Sequence, residues 1–184
     1  MKFKITLKMN REHGDLLPFN YQYEQSAVIY RILAQVDTQY SSWLHENGYQ
    51  LNGSKRFKLF CYSPFIFEKV RPLPKEGCLN IMGERATWYI SFIPEKSTME
   101  FIQGIFAHQS FTIGNRKYQV AFDVVGVEAM PMPPLSEVMT FQALSPICVK
   151  LHEENKTQYL SPDNPMFADG ILKGLKARYE SIHG

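Results

Sequence analysis

Residues 1 to 9 alternate, with Phe3, Ile5, Leu7 and Met9 on one side of the chain and Lys2, Lys4, Thr6 and Lys8 on the other. Successive side chains of an extended chain point to opposite faces, so this period of two predicts a strand buried on one face only. After a polar stretch with His13, Gly14 and Asp15 the spacing changes: from Tyr23 to Val36, residues Ala27, Tyr30, Ile32, Leu33 and Ala34 suit one stripe of a helix. A second short helix is predicted over Thr38 to Glu46, ending near Gly48, a residue type common just past helix ends because it accepts a left-handed backbone. From Phe57 the apolar residues come in short runs, Phe57 to Tyr62, Pro64 to Val70, Cys78 to Met82 and Thr87 to Ile93, broken by Pro72, Pro74, Gly77 and Gly83. These predict strands and hairpins. Pro94-Glu95-Lys96-Ser97 opens a helix through Ala107 with Met99, Ile102, Ile105 and Phe106 on its apolar face, and Tyr118 to Met130 returns to strand.

The order strand, helix, strands, helix, strand predicts an α+β fold. Residues 1–134 read as a ferredoxin-like (RRM-like) β-α-β-β-α-β domain, two helices packed on one face of an antiparallel sheet. Pro131, Pro133 and Pro134 mark a linker. Beyond it, residues 135–184 read as a strand over Val138 to Leu151, interrupted at Ser145-Pro146, and a helix over Pro165 to Ile182 faced by Phe167, Ile171, Leu175, Tyr179 and Ile182. One strand and one helix are the start of a second ferredoxin-like domain and cannot form a sheet alone. They must dock on the first domain, pair with another copy as a homodimer, or begin something cut off.

At 184 residues, 45% hydrophobic and 14% aromatic, the chain can bury one good core, or one complete domain plus part of another. No apolar run approaches the roughly eighteen residues a membrane helix needs, and the start alternates instead of forming an apolar signal segment. A cytoplasmic protein with no membrane partner is expected. Cys61, Cys78 and Cys148 are odd in number, widely spaced and without a Cys-x-x-Cys pair, which argues against a disulfide framework or zinc. The formal charge of +2 hides an asymmetry: residues 1–75 carry 11 Lys or Arg against 6 Asp or Glu, and residues 76–184 carry 9 against 12. A first part at +5 beside a remainder at −3 points to a polyanion near the first part.

That first part holds three side chains with complementary chemistry, Tyr30, His45 and Lys58. RNA cleaves itself when a 2′-hydroxyl attacks the adjacent phosphate. Catalysis then requires taking up that proton, protonating the departing 5′-oxygen and stabilising the added negative charge, with no obligatory metal. A histidine exchanges protons near neutrality; a tyrosine donates a hydrogen bond or proton; a lysine is a fixed cation. Each has an ordinary reading as well: Tyr30 as a packed core residue, His45 as a solvent-facing helix-end histidine, Lys58 as an outward edge-strand lysine. Arg31, Lys55, Arg56, Lys69 and Arg71 are candidates to hold RNA. With Phe57, Phe60, Tyr62, Phe65 and Phe67 the later four could form a stacking and phosphate-contacting surface, unless those aromatics are sheet core. His13, His108, His152 and His183 are scattered without metal-ligand spacing, and no phosphate loop or dinucleotide fingerprint is present. Neither a metal nor a cofactor is expected.

Taken in order, Leu17-Pro18-Phe19-Asn20-Tyr21-Gln22-Tyr23, Ala27-Val28-Ile29-Tyr30, Leu44-His45-Glu46-Asn47-Gly48-Tyr49 and Phe57-Lys58-Leu59-Phe60-Cys61-Tyr62-Ser63 closely resemble the CRISPR repeat-processing endoribonucleases, the sixth family of Cas proteins. The similarity continues through Trp88-Tyr89-Ile90-Ser91-Phe92-Ile93 and Leu144-Ser145-Pro146-Ile147 and covers essentially the whole chain. It implies two ferredoxin-like domains in tandem and metal-independent cleavage of CRISPR precursor RNA, leaving a 2′,3′-cyclic phosphate and a 5′-hydroxyl. It also implies CRISPR repeat RNA and other Cas proteins as partners. By position, the family's tyrosine, histidine and lysine triad falls on Tyr30, His45 and Lys58. Members resembling this sequence continue into the rest of the second domain and end in a glycine-rich loop, whereas this chain stops at Gly184, which reads as a C-terminally truncated form. That departure sets a second expectation, a non-catalytic RNA-binding or scaffolding subunit of a CRISPR ribonucleoprotein.

Overall fold

The computed structural model of the chain describes residues 1–51, 55–153 and 156–184. The alternating start forms β1 (Lys2–Asn10), and its fully buried Ile5 and Leu7 place it at the centre of the main sheet. On one side β1 pairs with β9 (Arg85–Phe92), Ile5 opposite Trp88; on the other it pairs with β11 (Gln119–Met130), Ile5 opposite Val127. β5 (Phe60–Tyr62) and β6 (Ile66–Phe67) both lie along the outer edge of β9, and β10 (Ser110–Gly114) lies along β11. All of these pairings are antiparallel. The order β11-β1-β9-β5 is the fourth, first, third and second strand of a β-α-β-β-α-β unit, so the fold is ferredoxin-like as the element order predicts.

The two crossover helices are α1 (Gln22–Ala34) and α3 (Glu95–Ala107), and both cover the inner face of the sheet. Val28, Ile29, Ile32 and Leu33 of α1 and Phe101 and Ile105 of α3 pack with Ile5, Leu7, Trp88, Ile90 and Phe92. Burying side chains of this size contributes about 1.5–3 kcal/mol each. The helices cross closely at Gly104, where a Cβ would lie 2.3 Å from the Ile32 carbonyl oxygen. The buried stripe of α1 is rotated from the one expected. Gln25, Val28, Ile29, Ile32 and Leu33 face inward, while Ala27 is exposed and Tyr30 sits half-buried at the margin. The polar Gln25 is tolerated inside because its amide donates to the Ser63 carbonyl at 3.0 Å.

Between α1 and the sheet edge the chain inserts α2 (Thr38–Glu46), capped by Asp37, whose carboxylate accepts from the Tyr40 N–H at 2.8 Å. The run Phe57 to Tyr62 is not one strand. It is broken at Lys58 and Leu59, so that β4 (Lys55–Phe57) pairs back with β3 (Tyr49–Leu51) while β5 joins the main sheet. Pro64 to Val70 likewise divides between β6 and β7 (Val70–Leu73), which with β8 (Cys78–Ile81) and β2 (Leu16–Pro18) makes a small three-stranded sheet. All three cysteines are free.

Residues 131–148 carry no strand, and all but Met139 are exposed. The strand expected from Val138 is displaced because proline supplies no N–H for a ladder and this stretch has no partner strand among the described residues. Pairing begins only at β12 (Val149–Glu153), which forms a hairpin with β13 (Lys156–Leu160), an element the sequence pattern does not predict. The final helix, α4 (Met166–His183), packs on the hairpin through its small residues: a Cβ at Gly170 would lie 2.4 Å from Val149 Cγ1, and Ala177 is its one buried side chain. Of the expected apolar face only Phe167 and Ile171 are half-buried, and Leu175 and Tyr179 remain 60% and 66% exposed. No helix among the described residues is long and apolar enough to cross a membrane.

Candidate active site

Two helices bring Tyr30 and His45 together. Tyr30 occupies the third turn of α1, and Ser41 on α2 donates its hydroxyl to the Tyr30 carbonyl at 2.8 Å, which fixes one helix on the other. His45 lies four residues after Ser41 and therefore on the same side of α2. The two rings meet edge to face, with centroids 4.9 Å apart and an interplanar angle of 84°. Phe60 of β5 supports the other side of the Tyr30 ring at 5.8 Å. Burial, and secondarily the nearby Tyr62 hydroxyl, push the Tyr30 phenol up to about 12. At neutral pH it keeps its proton and can act only as a donor or as an acceptor through its lone pairs. His45 is exposed, so the imidazole is open to substrate.

Lys58 reaches the same helix from below. Its ammonium donates to the carbonyl oxygens of Leu44 and of His45 itself, each at 2.5 Å, and the Arg56 guanidinium donates to the Glu46 carbonyl at 3.1 Å. The last carbonyls of a helix lack intrahelical partners and carry its negative dipole end, so two cations here satisfy both the hydrogen-bonding and the electrostatic demand. Desolvation, then repulsion from Arg56, lowers the Lys58 pKa. The backbone is shaped to permit this approach. Gly48 has φ 66°, and a Cβ there would lie 2.6 Å from the Phe57 carbonyl oxygen; Leu59 turns the chain with φ 55° while its side chain stays buried. Beyond the strand break lies a cleft of about 550 Å³ bordered by Arg56, Lys58, Phe60 and Arg178, the last of these lying 5.3 Å over the Phe57 ring.

The other candidates separate. Arg56 stands on β4 beside the site, whereas Lys55, one position earlier, borders an opening against Val149, Asp169 and Lys173. Arg31 is exposed on α1, where its guanidinium donates to the Thr112 carbonyl of β10 at 2.7 Å and tethers the helix to the sheet edge. Lys69 and Arg71 are exposed at the start of the small three-stranded sheet. The aromatic run divides too: Phe65 is 5% exposed and packs on Trp88 and Phe122, Phe67 leans on the same core, and Phe60, half-buried against Phe92, also edges the cleft. Ser41 and the capping role of Arg56 escape a reading of the sequence. The spacing of Ser41 to His45 was the available signal.

Residues 16–123 match the family model described as CRISPR-associated protein Cas6, N-terminal, and residues 130–184 match CRISPR associated protein Cas6, C-terminal. The chain belongs to the Cas6 family. It is 28% identical to the "CRISPR-associated endoribonuclease Cas6 1" of Methanocaldococcus jannaschii, over 98% of this chain and 66% of that protein. It is 24% identical to the "CRISPR-associated endoribonuclease Cas6" of Pyrococcus furiosus, over 100% of this chain and 66% of that protein. A "Putative CRISPR-associated endoribonuclease-like protein Cas6" of the same organism is 25% identical over 100% of this chain and 72% of its own length. The chain thus spans about two thirds of the curated Cas6 relatives it matches. Among solved structures, one described as a Cas6-related gene product from Pyrococcus furiosus superposes with TM-score 0.79 at 25% identity, covering 100% of this chain and 71% of that one. Another, "An RAMP protein binding different RNA substrates", gives 0.78 at 24% identity, covering 100% and 72%, and shares the fold.

Proposed function

We propose that this chain carries the cleavage site of a metal-independent CRISPR repeat endoribonuclease. The observation that supports it is the ring contact of Tyr30 and His45 at 4.9 Å beside a cationic helix end. In this reading the exposed His45 imidazole takes the proton of the attacking 2′-hydroxyl. Tyr30, protonated in the resting site, gives its proton to the departing 5′-oxygen and regains one from the His45 imidazolium. The guanidinium of Arg56, with Lys55 before it on β4, keeps the potential positive where the phosphorane charge develops, and Lys58 completes the cationic helix end. The products are a 2′,3′-cyclic phosphate and a 5′-hydroxyl. CRISPR repeat RNA is the substrate, approaching along the cleft edged by Arg56 and Arg178.

Residues 1–134 are proposed as the N-terminal domain and residues 135–184 as part of a second; the two family models meeting between 123 and 130 support that division. The direct test is incubation of the chain with a repeat RNA in excess chelator. Cleavage persists, and a 2′-deoxy nucleotide at the cut site stops it. Cleavage lost in chelator and restored by magnesium would end this reading. A second reading, an RNA-binding subunit that does not cut, is favoured by the endoribonuclease-like description of one relative and the RNA-binding description of one neighbour. It requires that the parent protein and His45→Ala bind repeat RNA equally and that neither cuts.

A further inference from the structure

We infer that Lys58 is a positioning residue: its ammonium clamps the carboxyl end of α2 and so fixes His45, instead of touching the scissile phosphate. This rests on reading the site as ribonucleolytic. Four carbonyls end the helix. The Trp43 carbonyl accepts from the N–H groups of Asn47 and Gly48, those of Leu44 and His45 accept from Lys58, and that of Glu46 accepts from Arg56. Two of the three ammonium protons of Lys58 are thereby committed to the backbone of the turn that bears the imidazole. To stabilise a phosphorane directly, the side chain would have to abandon both.

The local backbone supports the clamp independently. An ordinary strand lysine alternates outward and needs no special φ on either side. Here Leu59 adopts φ 55°, a conformation unfavourable for a residue with a Cβ, and Gly48 is left no room for one, its nearest neighbours being Phe57 and the Lys58 Cδ at 3.2 Å. Both features bring the β4 end under α2 and aim Lys58 at its last turn. That turn is where a nine-residue helix frays, and His45 lies within it. A displaced imidazole is costly, because misplacing a reacting group by about 1 Å can slow a reaction on the order of a hundredfold.

The test has two arms. In the first, single-turnover cleavage of a repeat RNA is measured for the parent, Lys58→Met, His45→Ala and the double variant. Lys58→Met slows the reaction on the order of a hundredfold, with KM little changed. Lys58→Arg, which can still donate to two carbonyls, recovers part of the loss. In the His45→Ala background Lys58→Met costs no more than about twofold further, because its effect runs through the missing imidazole. Full multiplication of the two losses would mean direct contact with the phosphate and would overturn the clamp. The second arm needs no activity: the nuclear Overhauser contact between the Tyr30 and His45 rings, and amide exchange at Asn47 and Gly48, are followed by NMR. Lys58→Met weakens the ring contact and speeds exchange; both unchanged would overturn the inference. If Lys58→Met does not fold, Lys58→Gln carries the same comparisons. A parent that never cuts RNA refutes the ribonuclease reading, and the NMR arm still decides the clamp.

Discussion

The His45 and Tyr30 rings meet edge to face, with His45 exposed to solvent and the half-buried Tyr30 phenol protonated in the resting site. His45→Ala is therefore expected to lower the single-turnover rate at least about a hundredfold, the usual scale for losing a general base. Tyr30→Phe keeps the ring contacts with His45 and Phe60 and removes only the hydroxyl, so the fold persists and the rate falls. Because the phenol is raised to about 12, the protonated donor persists across the working range. The pH–rate profile carries no Tyr30 limb below pH 10, and Tyr30→Phe lowers the curve without changing its shape there. A profile whose alkaline limb disappears in Tyr30→Phe would assign the tyrosine to proton uptake. At this scale the sequence marks Tyr30 and His45, which the fold brings into ring contact, and says nothing of the path Lys58 takes. Lys58 reads as a strand lysine between Phe57 and Leu59, and nothing in the order of residues announces that Leu59 would turn left-handed and send the ammonium to carbonyls thirteen and fourteen positions earlier.

Elements were legible where the pattern was long and regular, as in β1, α2, α3 and β11, because periodic burial against one core both writes the pattern and forms the element. They were not legible where a tertiary partner decided the outcome. β10 and β13 exist because β11 and β12 lie alongside them, and α4 turns Gly170 inward because Val149 of β12 comes close. The crossing of α1 and α3 depends on one such approach. Gly104→Ala places a methyl against the Ile32 carbonyl, forcing the helices apart and destabilising the fold by about 1–3 kcal/mol, read as a lowered urea midpoint with little change in slope. The start of α2 offers a pH test. The Tyr40 N–H, then Lys96, hold the Asp37 carboxyl below its ordinary 3.8. A group whose folded value is lowered contributes stability that is fully present above 3.8 and fades as pH falls through the folded value. Asp37→Asn should melt earlier than the parent at neutral pH, and the gap should close in acid. A gap independent of pH would assign the effect to the cap hydrogen bond alone.

The whole molecule is a polarised one, +5 over residues 1–75 and −3 over the rest, and the fold gathers part of the positive share around the end of α2. A polyanion is drawn to such a region by release of its counterions, so affinity for repeat RNA should fall linearly with the logarithm of salt concentration. The structure sorts the cations that can contribute. Lys55 is exposed on β4 one position before Arg56, without an ion pair among the described residues, and is free to meet phosphate. Arg116 is equally exposed but lies in the β10–β11 turn. Replacing one phosphate-contacting lysine reduces the salt slope by about one, whereas removing a distant charge changes the long-range field and leaves the slope alone. Lys55→Ala is thus expected to shorten the slope measured by fluorescence anisotropy between low and physiological salt, and Arg116→Ala to leave it as in the parent. The reverse result would place the RNA along the β10 edge, on the side of the domain tethered by Arg31, and would separate the binding surface from the Tyr30–His45 pair.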